Sequence, residues 1–203
     1  ESATIESTWL FIHCNKIRRR KVRKNDADGA YLQAPPDKAK RPQGIWTEIP
    51  KCMYPDDSPA HQMRRPVFEV NQSMYGLDDA GFSWDKYSTA QLEQAHFHPY
   101  YDLTQCIYDH FPEGTDLSVL AQEGEIDPSD YPLDDGQLSK YVDDFLSAED
   151  EGSGVHKKMC SALLFKNPET SEVYEEIGRY VGSTWDGVND PPDAEGIYRY
   201  ASQ

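Results

Sequence analysis

The sequence predicts an α+β fold built on an antiparallel sheet, and three observations carry that expectation. Leu138-Ser139-Lys140-Tyr141 and Phe145-Leu146-Ser147 are short runs with apolar or aromatic side chains alternating about a tight turn, the pattern of a β-hairpin. His156, Met159, Cys160, Leu163 and Leu164 fall at i, i+3, i+4, i+7 and i+8, the spacing of an amphipathic helix. Ala80 to Ala95 is a second helix candidate, with Trp84 and Tyr87 three apart on one face and few breakers after Gly81.

The other elements follow in chain order. Ala3 to His13 reads as a short helix and Lys21 to Asp26 as a strand, which Ala34-Pro35-Pro36 closes off. Strands near Ile45 to Ile49 and Val67 to Asn71 flank a loop bearing Pro and Asp. Strands at Gln105 to His110 and Leu117 to Ala121 lead to Gln122 to Asp135. That segment holds Pro128, Pro132, clustered acids and little apolar content, and reads as a solvated loop. Asn167-Pro168 stops the amphipathic helix. Val173 to Thr184 and Gly196 to Ala201 read as strands around the Asp190-Pro191-Pro192 turn, and no internal repeat is visible.

Composition sets limits on function. At 203 residues the chain fits one domain, and a mean hydropathy of −0.79 puts it at the polar end of the globular range. No run reaches the length of a membrane span, so a membrane partner is not expected. Glu1-Ser2-Ala3 offers neither an initiator Met nor a signal segment, the expectation for an internal piece of a larger polyprotein. Cys14, Cys52, Cys106 and Cys160 are scattered, which predicts free thiols and an intracellular location, cytoplasmic or nuclear or both. His96, His98 and His110 have no neighbouring Cys to complete a zinc set and read as surface histidines.

The net charge of −16 is unevenly spread: residues 1–65 carry 13 basic and 8 acidic side chains, residues 66–203 carry 7 and 28. Lys16, Arg18, Arg19, Arg20, Lys21, Arg23 and Lys24 form the densest basic cluster. Contact with template phosphates, a nuclear-localisation-like run, or a solvated helix end all fit it.

Tyr141-Val142-Asp143-Asp144 places two adjacent acids at the hairpin tip, as a divalent-metal site for nucleotidyl transfer requires. Asp-Asp recurs at 56–57, 78–79 and 134–135, so the pair alone discriminates little and a second motif is needed. Asp26-Ala27-Asp28-Gly29-Ala30-Tyr31-Leu32-Gln33-Ala34 supplies it. In a two-metal mechanism a carboxylate from a separate strand bridges ions roughly 3.5–4 Å apart. Asp26 is placed to bridge, with Asp143 and Asp144 completing the cage. Mg²⁺ or Mn²⁺ suits such a carboxylate-plus-phosphate site.

A third stretch, Met74-Tyr75-Gly76-Leu77-Asp78-Asp79-Ala80-Gly81-Phe82-Ser83-Trp84, lies between those two, and a Pro-rich segment precedes it. In this order the four segments resemble those of copia-type (Pseudoviridae-like) retrotransposon reverse transcriptases. Ile45-Trp46-Thr47-Glu48-Ile49-Pro50, Phe97 to Asp102 and Arg179-Tyr180-Val181-Gly182 are softer matches, and the likeness spans most of residues 8–183. It implies an α+β polymerase palm with part of the fingers, the fingers insertion falling at about 35–73, in one partial domain over 1–203. It also implies an RNA-directed DNA polymerase acting on RNA/DNA template-primer and deoxynucleoside triphosphates. Catalytic and metal-binding roles then go to Asp26, Asp143 and Asp144. Ala27 (through its carbonyl), Tyr31 (the sugar gate), Tyr141 and Gly76 contact substrate. Further fingers, a thumb and a ribonuclease H domain are not evident, so the isolated segment is expected to extend primers poorly.

Two departures stand out. The family usually has Lys-Gln where this chain has Asp78-Asp79, which replaces a positive charge near the nucleotide with two negative ones. Arg23-Lys24-Asn25 precedes Asp26 where the family is apolar. Two other readings remain beside the enzyme: a decayed or repurposed reverse-transcriptase segment acting as a binding module, and an acidic interaction module without polymerase ancestry.

Overall fold

The computed structural model describes residues 3–99, 106–121, 127, 129–166, 178–181, 183–186 and 201–202. In chain order its elements begin with α1 (Ile5–Ile17), β1 (Lys21–Asp26), α2 (Ala30–Gln33), β2 (Trp46–Glu48), β3 (Val67–Glu69) and α3 (Ala80–Gln94). They continue with β4 (Phe97–Pro99), β5 (Ile107–His110), β6 (Gly136–Tyr141), β7 (Asp144–Glu149), α4 (Val155–Ala162), β8 (Gly178–Tyr180), β9 (Ser183–Asp186) and β10 (Ala201–Ser202). The fold is α+β. The expected turn at Asp190-Pro191-Pro192, the Asn167-Pro168 stop and most of the 122–128 stretch lie outside the described residues.

The chain groups into two compact units, residues 1–28 with 88–203, and residues 29–87. The first holds a five-stranded antiparallel sheet in the order β1-β7-β6-β5-β4, and a separate three-stranded sheet in the order β10-β9-β8. Period-2 alternation sorts the large sheet into two faces. Val22, Leu146, Ala148 and Ile107 share one face and pack with Phe11 and Ile12 of α1, Cys106 and Tyr180 in a buried cluster. Phe145, Leu138 and Tyr108 lie on the other face, the side of Leu92 on α3 and of Val155 and Met159 on α4. Thr4 starts α1 with a capping box, its hydroxyl accepting from Ser7 N while Ser7 Oγ accepts from Thr4 N. Gly136 is required by close approach: a Cβ there would sit 2.8 Å from Val155 and 2.9 Å from the Ala148 carbonyl.

The second unit contains α2, the β2–β3 hairpin and the start of α3, with Trp84 and Tyr87 rings 6.3 Å apart as their spacing predicts. Arg41 binds both Asp78 and Asp79, reaching Asp79 Oδ2 from Nε at 3.1 Å. That guanidinium holds the Asp79 carboxyl below its ordinary range, so the Asp78-Asp79 pair is locally compensated.

Several expectations need correction. Leu117 to Ala121 is not a strand: Ser118–Ala121 is a 3₁₀ turn, started by Asp116 Oδ1 accepting from Ser118 N at 2.9 Å. His110 is not at the surface. It is fully buried, bonded through Nδ1 to Asp135, with Nε2 3.2 Å from Lys158 Nζ. The end of the supposed solvated loop is also interior, since Asp134 is 7% exposed.

The basic cluster is largely answered from within the chain. Arg20 is buried, donating to Asp150 at 2.7 and 2.8 Å and to the Asp134 backbone carbonyl at 2.8 Å, and pairing with the Asp134 carboxylate. Arg18 also pairs with Asp134, Arg23 with Glu149 at 3.1 Å, and Lys24 with Asp144 at 3.0 Å. Lys16 is itself buried. Charges that look free for phosphate in the sequence are thus mostly committed to the acidic second half. All four cysteines are free thiols, with burial pushing the Cys160 thiol up to about 11. Among the described residues no helix is long and apolar enough to cross a membrane.

Removing one partner of a buried ion pair strands the other, at a cost of about 3–5 kcal/mol. We therefore expect Arg20→Ala to lower the unfolding free energy by about that much in urea titrations, and Arg65→Ala, which breaks only an exposed pair with Glu48, to have a far smaller effect. Comparable losses in both would contradict this ranking.

Burial lowers the affinity of His110 and His98 for a proton. A depressed histidine binds fewer protons folded than unfolded, so its contribution is present above about pH 6.5 and is lost as pH falls through the folded value. Stability should fall between about pH 7 and pH 5, and His110→Gln should flatten that slope. An unchanged slope would remove His110 as the cause.

Candidate active site

The site begins with strand register. Asp26 stands opposite Asp144 across β1 and β7, fixed by the pairs Val22 with Ala148 and Lys24 with Leu146. A slip of one residue would turn Val22 out of the core, so burial of Val22 and Leu146 holds the two acids on the same face. Beyond the strand end, Ala27 N donates to the Asp143 carbonyl at 2.7 Å, tying the first motif to the hairpin tip.

Val142 and Asp143 form the two-residue turn between β6 and β7. Val142 has φ of 54°, a conformation β-branched residues rarely adopt. Asp143 is half-buried in that turn. Tyr141 pairs with Asp144 across the hairpin, and its ring stands 6.3 Å from that of Tyr180. Tyr180 is fully buried, its hydroxyl 3.2 Å from Ser139 Oγ, and burial raises its pKa far above the ordinary tyrosine value. These two rings pack on the face that carries Asp144.

Two lysines meet the acids. Lys24 Nζ lies 3.0 Å from Asp144, and Lys166 Nζ lies 2.9 Å from both oxygens of Asp26. Oδ2 of Asp26 accepts a hydrogen bond from Lys166, whereas Oδ1 is in ion-pair contact but accepts none. Lys166 is positioned by its backbone: Lys166 N donates to the Asp26 carbonyl at 3.0 Å, Ala27 bridges to Phe165, and Asp28 N donates to the Leu164 carbonyl at 2.9 Å.

Burial raises the Asp144 carboxyl above its ordinary range against the opposing pull of Lys24, and the negative charges of Asp143 and Asp26 raise it further. The Lys166 ammonium is raised by its bond to Asp26, then by the fields of Asp26, Asp143 and Asp28. Four carboxylates therefore act on one small region. Among the described residues no three His, Cys, Asp or Glu side chains converge tightly enough to enclose one ion, and the lysines stand among them instead.

The structure brings together Asp26, Ala27, Tyr141, Asp143 and Asp144. Tyr31 and Gly76 belong to the second unit, where the Tyr31 and Tyr75 rings are 4.6 Å apart and Gly76 has φ of 95°. Sequence reasoning missed Lys24, Asp28 and Lys166 as members. Lys24 was legible, since two residues before Asp26 on a strand is the same face. Lys166 was not, because 140 positions separate it from its partner and no local pattern marks it.

No family model, curated protein or solved structure matches the chain.

The left-handed Val142 carries a backbone cost of about 1–3 kcal/mol that glycine escapes. Val142→Gly is expected to leave stability unchanged or raise it by up to about 1 kcal/mol in thermal melts. Destabilisation beyond about 1 kcal/mol would show that the Val142 side chain contributes more than its backbone costs.

Proposed function

We propose that this chain is the palm, with part of the fingers, of a copia-type retrotransposon reverse transcriptase, an RNA-directed DNA polymerase. The observation that supports it most is the pairing of Asp26 with Asp144 on adjacent antiparallel strands, with Asp143 in the turn bonded through its carbonyl to Ala27. Motifs 117 residues apart in sequence thus supply carboxylates to one sheet end, as two-metal nucleotidyl transfer needs.

In this reading Asp26 and Asp143 hold Mg²⁺ or Mn²⁺, with Asp144 beside them. The fit rests on this chain's own groups: Asp26 Oδ1 is buried, accepts no hydrogen bond and lies 2.9 Å from the Lys166 ammonium, so it is an unsatisfied acceptor that a cation would satisfy in place of that ammonium. Mg²⁺ is commonly held by one or two carboxylates plus substrate phosphates, so three converging side chains are not required. Bound divalent ions supply the activation of the primer 3′-hydroxyl and the stabilisation of the leaving phosphate. The protein's work is positional. Strand pairing fixes the two acids, the Val142-Asp143 turn presents the third, and Lys24 offsets the charge of Asp144. By resemblance the Ala27 carbonyl and Tyr141 contact substrate beside the acids, and the resemblance gives substrate-contacting roles to Tyr31, as sugar gate, and Gly76 in the second unit. Template-primer and deoxynucleoside triphosphates are the partners.

A second reading, a reverse-transcriptase segment retained as a non-catalytic binding module, is favoured by one set of contacts. Lys24 and Lys166 already neutralise the acids, and Arg41 is committed to Asp78 and Asp79. Binding of a deoxynucleoside triphosphate with and without Mn²⁺ separates the two. The polymerase reading expects Mn²⁺-dependent binding that weakens at least about tenfold, some 1.4 kcal/mol, in Asp143→Asn. Binding that ignores both metal and Asp143 would support the module instead.

A further inference from the structure

Lys166 is paired with the carboxylate that the proposed chemistry assigns to a metal. Its ammonium lies 2.9 Å from both carboxylate oxygens of Asp26, and its field partners include Asp143 and Asp28. Three repelling carboxylates at one sheet end require positive charge whether or not metal is present, and a lysine on an exposed stem can provide it reversibly.

The two lysines at the site differ in freedom. Lys24 lies within β1, its side chain 23% exposed and packed on the sheet face beside Leu146. Lys166 has a side chain 53% exposed, and its main chain is anchored by the bond from its N–H to the Asp26 carbonyl. Its backbone cannot leave the site, whereas its side chain can swing into solvent.

We propose that Lys166 is a resident counter-cation that a divalent ion displaces from Asp26, so that Lys166 sets how tightly the site takes metal. This rests on the two-metal reading of the acids. In the metal-free protein Lys166 holds Asp26 in place and screens it from Asp143 and Asp144. When the ion enters, Asp26 exchanges one ammonium partner for the metal, and the ammonium moves to solvent while its backbone bonds persist. The site is then assembled before metal arrives, and weak metal is rejected in favour of the internal charge.

The probe is Mn²⁺, titrated into the whole chain and followed by electron paramagnetic resonance. An exposed ion pair is worth little, so its removal should tighten Mn²⁺ binding about two- to fivefold in Lys166→Met, with Lys166→Arg restoring the original affinity. In the unmutated protein the ¹³Cε resonance of Lys166 should shift during a Mg²⁺ titration with the same midpoint as metal binding, a readout that needs no variant. Unchanged or weaker Mn²⁺ binding in Lys166→Met, with binding still dependent on Asp26 and Asp143, would overturn the role of Lys166 alone. If Asp26→Asn and Asp143→Asn both leave Mn²⁺ binding unchanged, the metal-site reading fails and this inference fails with it.

Discussion

The antiparallel pairing of β1 with β7 is the constraint on which the rest depends. It joins a basic strand, Lys21-Val22-Arg23-Lys24, to one ending in acids, Asp144 and Glu149. Arg23 meets Glu149 and Lys24 meets Asp144, pairs worth roughly 0.2–1 kcal/mol each at partly exposed positions. Burial of Val22, Leu146 and Phe145 is worth about 1.5–3 kcal/mol per side chain. The apolar residues therefore hold the strands together, and the charges add preference for the one register that sets Asp26 against Asp144.

The same division of labour explains how a chain of net charge −16 builds a core. Within the first unit the basic stretch Arg18 to Lys24 pairs with Asp134, Asp144, Glu149 and Asp150, so opposite charges face each other where those elements meet. Arg20 is the extreme case, buried and satisfied by Asp134 and Asp150. Such a pair contributes little net stability, because both charges lose water, but it penalises any arrangement that separates them. The acids of the candidate site follow the same rule, with Lys24 and Lys166 in the neutralising part.

Much of the fold could be read from local pattern. β1 runs from Lys21 to Asp26 as expected, and the hairpin around Val142-Asp143 and the helix at Ala80 fall where alternation and helical spacing put them. Those signals are carried by neighbours in sequence. What could not be read depended on distant partners. His110 and Asp134 look like solvated polar residues until Lys158, Asp135, Arg18 and Arg20 are brought to them by the fold. The 3₁₀ turn at Ser118 was misread because alternating apolar residues outweighed the Asx signal of Asp116. At the site, the acids were found because their motifs are compact, and Lys166 was missed because its contact arises only from tertiary structure.

The central claim is that Asp26 and Asp143, from separate parts of the sequence, serve one divalent-metal site. A crystal of the chain soaked in Mn²⁺ and measured at the manganese absorption edge tests it most directly. The account predicts an anomalous peak at coordination distance from the carboxylates of both Asp26 and Asp143, with the Lys166 ammonium moved away from Asp26. A fully occupied peak elsewhere, with Lys166 still seated between the Asp26 oxygens, would contradict it.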